Sequence, residues 1–81
     1  MGILSEIING KTITVTIESS NLSQAIYDTE TKTLTITFKK GGIYLYEDVS
    51  WDLFTKFRLS KSQGKFFVEH ISKNFKFKKL S

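Results

Sequence analysis

Cysteine is absent from the 81-residue chain and histidine occurs once, at His70. Without thiols there is neither a disulfide framework nor a thiolate metal site, and one imidazole cannot build a zinc cluster alone. The redox compartment is left open. No apolar run approaches the roughly 18 residues of a membrane span, and Met1-Gly2-Ile3 lacks the basic start and long apolar centre of a signal peptide. These absences predict a soluble, cytoplasmic protein with no membrane partner. No linker, internal repeat or low-complexity block divides the chain, so residues 1–81 are expected to form a single domain. Surface scaling gives roughly 5,000 Å² exposed after folding against roughly 13,500 Å² for the open chain, which allows one modest core and no deep cleft. Paired carboxylates, an activated nucleophile and a metal set are all missing, so neither catalysis nor a cofactor is expected.

What is present is apolar enough to fold, since aliphatic and aromatic residues make up 40% of the chain,. Charge is distributed unevenly. Residues 1–55 hold four lysines against seven acids, net −3, whereas residues 56–81 hold seven lysines and Arg58 against Glu69 alone, net +7. Such a field attracts phosphate backbones, anionic lipids or acidic proteins without distinguishing them, and it also serves as a solvated face.

Residue types divide the chain in the same place. Eight of nine threonines precede residue 38 and most phenylalanines follow residue 53, so strands are expected first and helices second. Thr12 to Glu18 alternates, with Ile13, Val15 and Ile17 on one face,. Asn9-Gly10 reads as a two-residue hairpin turn that pairs Leu4–Ile8 with that strand. Ile3, Leu4, Ile7 and Ile8 also fit one helical face ending at Gly10, and the hairpin is favoured narrowly,. Gln24–Asp28 reads as a short strand, Leu34-Ile36-Phe38 as the clearest one, and Lys39-Lys40-Gly41-Gly42 as a turn into Ile43–Glu47. Ser50 and Ser62 are positioned to cap two helices whose apolar faces hold Leu53, Phe54 and Phe57, then Phe67, Ile71 and Phe75,. Phe75-Lys76-Phe77-Lys78 alternates like a lysine-guarded edge strand, or ends as a frayed tail. The fold class expected is α+β: a small, mainly antiparallel sheet of four or five strands followed by two helices packed on one face.

In order, Ser19-Ser20-Asn21, Tyr27-Asp28, Leu34-x-Ile36-x-Phe38, Gly42, Tyr44-x-Tyr46, Val49, Ser62-x-Gly64-x-Phe66-Phe67 and Ile71 resemble the KTSC domain, a family named from a module at the end of some lysyl-tRNA synthetases. The resemblance spans residues 17–80 and leaves 1–16 as an N-terminal extension. It implies a compact sheet plus helices, found alone in small bacterial and phage proteins, with a suggested role in binding RNA. It carries no catalytic residues. Ser50, Val68 and Phe75 stand where the family often has proline, asparagine and tyrosine.

The residues themselves offer two binding features. Tyr44 and Tyr46 project from one face of a strand near basic side chains, as in the stacking platforms that hold single-stranded nucleic acid; alternatively, Phe54, Phe57 and Phe67 cover them. Arg58, Lys61, Lys65, Lys73, Lys76, Lys78 and Lys79, interleaved with Phe77, supply phosphate-directed charge. His70 reads as a surface imidazole, Asp48 and Asp52 as complements to a helix dipole, and Gly64 as a site of close backbone approach. The function expected is a non-catalytic protein that binds RNA or single-stranded DNA. The competing reading is a protein-interaction module, such as a phage or mobile-element product that grips a host protein through Trp51 and the tyrosine face.

Overall fold

The computed structural model describes residues 2–81, with side chains from Ile3 onward. Alternation at period two sets up six antiparallel strands: β1 (Gly2–Asn9), β2 (Thr12–Glu18), β3 (Leu22–Asp28), β4 (Thr33–Phe38), β5 (Ile43–Tyr46) and β6 (Phe77–Lys79),. They pair in chain order, β1-β2-β3-β4-β5-β6, as one meander. Between β5 and β6 the chain forms helix α1 (Trp51–Leu59), then α2 (Gln63–Phe66), which passes directly into a π-helical turn, Phe67–Ile71. The strand count exceeds the expected four or five because both doubtful ends pair: β1 with β2, and β6 with β5. Leu4–Ile8 is therefore strand and not helix, and the C-terminal residues are an edge strand and not a frayed tail.

Local chemistry explains the connections. Asn9 pairs with Thr12 across the first hairpin, so its two loop residues are Gly10 and Lys11. The turn lies one residue later than the sequence suggested, with Gly10 at φ +63° in the first central position, where a type II′ turn requires it,. After β3, Asp28 Oδ1 accepts the amides of Glu30 and Thr31 at 2.9 and 3.0 Å. The Thr31 amide is the main reason the Asp28 carboxyl sits below its ordinary pKa. Ser50 Oγ accepts the Leu53 amide at 3.1 Å, Ser62 Oγ accepts the Lys65 amide at 3.3 Å, and both helices start where those caps stand,. Gln63 Nε2 donates to the Arg58 and Ser60 carbonyls at 3.1 and 3.0 Å, closing the last turn of α1,.

One sheet face and the helices enclose the core. Ile13, Val15, Ile17, Ala25, Tyr27, Leu34 and Ile36 from the sheet meet Phe54, Phe57, Phe67 and Ile71 from the helices. Tyr27 stacks on Phe54 at 4.4 Å between ring centroids, and its hydroxyl donates to the Val49 carbonyl at 2.6 Å. Ile13, Val15 and Ile17 belong to the same core as the rest, so the first 16 residues are continuous with the domain. The exposed area is 5029 Å², matching the scaling expectation of roughly 5,000 Å².

Candidate functional site

The carboxyl end of β4, the start of β5 and the end of β6 converge on a shallow notch of about 320 Å³ lined by Phe38, Lys40, Gly41, Tyr44 and Tyr46. Register builds it. Tyr46 pairs with Phe77 and Tyr44 with Lys79, so these four side chains share the face that the helices cover elsewhere,. The helical layer stops at Phe67, whose ring meets Phe38 at 5.6 Å and Tyr46 at 5.2 Å, both edge-on. Beyond it Tyr44 lies edge-on to Phe38 at 5.5 Å, and Phe77 leans over Tyr44 and Tyr46 at 5.6 and 5.7 Å. Phe77 is 54% exposed, so one aromatic face is left in solvent above a half-buried tyrosine.

The two tyrosines therefore part company. Tyr46 is only 4% exposed, and the expectation that its ring could stack on a base is corrected: Phe67 and Phe77 cover it. Burial pushes its phenol above the ordinary value of 10.0, and Tyr44 adds to the shift. Tyr44 remains at the rim.

The basic residues also separate. Arg58, expected as a phosphate ligand, is engaged within the fold: its Nη1 donates to Glu6 Oε1 at 2.6 Å and its guanidinium lies 5.1 Å from the Trp51 ring centre and 5.0 Å from that of Phe54. Among the described residues no ion pair engages Lys61, Lys65, Lys73, Lys76, Lys78 or Lys79. Lys79 shares the notch face, whereas Lys78 pairs with Leu45 on the opposite face of the sheet. The Lys76 carbonyl accepts the Glu47 amide at 3.0 Å, which places the Lys76 backbone beside Glu47 at the far end of β5, and Lys73 is exposed in the turn after the helical layer. Lys61 and Lys65 flank Ser62 on the helical side. Lys40 and Phe38 were missed as site residues. Their signal was the Lys39-Lys40-Gly41-Gly42 turn, whose glycines at φ +102° and +99° bring Lys40 beside Tyr44.

A second groove, about 490 Å³, is lined by Ser20, Asn21, Ser62, Gly64, Lys65, Val68 and Glu69. It joins the Ser-Ser-Asn and Ser-x-Gly segments, more than 40 residues apart in sequence. Gly64 is needed there: a Cβ would lie 2.7 Å from Ser19 Oγ and collide with Asn21 Oδ1,. Ser19 Oγ in turn donates to Asn21 Oδ1 at 2.7 Å. The close approach is packing between the second helix and the entry to β3. His70 is exposed, its ring 4.5 Å from Phe66, and among the described residues no group of three His, Asp or Glu could hold a metal ion. Nor is any helix among them long and apolar enough to cross a membrane.

No curated protein matches the chain. A solved structure does: the crystal structure of a KTSC domain protein from Yersinia pestis superposes with a TM-score of 0.81 at 27% identity, covering 86% of this chain and 99% of that one. The family model for the KTSC domain matches residues 18–75. That segment runs from the end of β2 to the close of the helical layer and includes both halves of the Ser-Asn/Ser-Gly contact, so the chain belongs to the KTSC domain family.

Proposed function

We propose that this protein is a non-catalytic binder of single-stranded nucleic acid, with the notch at the β4–β5–β6 end as its contact surface. The observation that supports this most is the placement of Phe77 and Tyr44, one exposed and one at the rim, on the same face as Lys79 and beside Lys40. Among the described residues no acid lines this notch. Base faces stack on such rings with little regard to sequence, and lysines on either side take the flanking phosphates.

Titration of a labelled oligonucleotide, RNA and single-stranded DNA in parallel, tests the reading. Phe77→Ala removes the exposed ring and leaves every charge, so affinity should weaken by roughly 1 to 3 kcal/mol. Saturable binding unchanged by Phe77→Ala would move the contact elsewhere. No saturable binding of either nucleic acid would replace this reading with the protein-interaction one.

A further inference from the structure

Strand β1 ends the sheet, and among the described residues it ladders only with β2. Eight residues at the usual rise make an edge about 27 Å long, interrupted by a register shift between Ile3 and Ser5, with backbone donors and acceptors facing outward along it. The opposite edge, β6, is three residues long and carries Lys78 and Lys79, the usual guard against pairing. β1 carries no lysine, and the regular stretch of its edge, beyond the register shift between Ile3 and Ser5, is Ser5–Asn9. Its one charged side chain, Glu6, is neutralised by Arg58 at 2.6 Å, while Ile7 and Ile8 are 61% and 71% exposed on opposite faces of the strand. On the helical side Ile8 pairs with Ile13, Ile13 pairs with Tyr27, and Tyr27 packs against Trp51 at 6.1 Å. Trp51 is 49% exposed beneath Arg58. Tryptophan and arginine are the residue types that most often dominate the energy of protein interfaces.

We infer that two copies of this chain pair β1 against β1, antiparallel, to form one continuous twelve-stranded sheet with both α1 helices on the same side. Ile8 and Trp51 of each copy close over the seam. A second copy is the occupant because the seam is self-complementary. Its one acid and one base are already matched, and a two-fold axis sets the same matched pair beside them, whereas a strongly acidic or basic partner finds no unmatched charge. Two-fold pairing also removes this edge from both copies, while head-to-tail pairing onto β6 would meet its lysines. β1 lies wholly outside the segment matched by the family model, residues 18–75.

Sedimentation and light scattering on the full chain, from micromolar to submillimolar concentration, test the inference. The expected mass rises to twice the 9.3 kDa of the chain. The Ile7→Lys/Ile8→Lys variant, changed only at exposed positions, should keep its circular dichroism and remain monomeric. Because the chain has no cysteine, Ser5→Cys in mid-strand should give a disulfide-linked dimer in oxidising buffer, and Lys78→Cys on β6, the opposite edge of the sheet, should not. A monomer throughout the range, a dimer indifferent to the two lysines, or equal cross-linking at both positions overturns the inference.

Discussion

At the scale of single residues, pairs distant in sequence decide what each side chain is free to do. Gly64 was legible as a place of close approach, because glycine in an opening helical turn is disfavoured. Its partners were not, since Ser19 and Asn21 lie more than 40 residues earlier. Gly64→Ala should destabilise by about 1 to 3 kcal/mol in urea unfolding, and Asn21→Ala in the same chain should recover part of that loss. Strict additivity would show that the two do not touch. Arg58 shows the opposite failure: a charge tally counts it as available, while an ion pair to Glu6, 52 positions away, holds it in place. Tyr27 and Tyr46 are raised above 10.0 chiefly by burial. Their contribution to stability is therefore complete below the unfolded value and lost as pH climbs toward the folded one. Phenolate absorbance from these two should appear together with loss of folded circular dichroism. Ionisation well before unfolding would contradict their burial.

At the scale of elements, period two and serine caps carried most of the fold. β2 and β4 are where strict alternation put them, and both helices begin after the serines that cap them. The ends were harder to read because β1 fits a helical face nearly as well as a strand and is decided by its ladder with β2. The break in the second helix was not foreseen. Its last turn widens, the Ser72 amide bonding the Phe67 carbonyl five residues back at 2.9 Å, and a spacing pattern of apolar residues does not distinguish that from α-helix. Phe57 lies fully buried on α1, so Phe57→Ala should cost roughly 3 to 5 kcal/mol. An unchanged denaturant midpoint would remove α1 from the core.

At the scale of the whole molecule, the excess of basic residues after position 55 does not become one basic face. The antiparallel return of β6 sends Lys78 to one side of the sheet and Lys79 to the other, and it leaves Lys76 near Glu47. Sequence gave the amount of charge, but strand register gave its direction. What remains concentrated is the notch, with Lys40 and Lys79 beside Tyr44 and Phe77. The most direct measurement is the salt dependence of single-strand affinity for the parent chain and for Lys40→Gln/Lys79→Gln. Each phosphate contact contributes a slope of about −0.7 in log K against log salt, so the double variant should lose about two contacts' worth of slope while keeping its fold. Equal slopes for the two proteins, at equal affinity, would contradict the placement of the nucleic-acid contact at this notch.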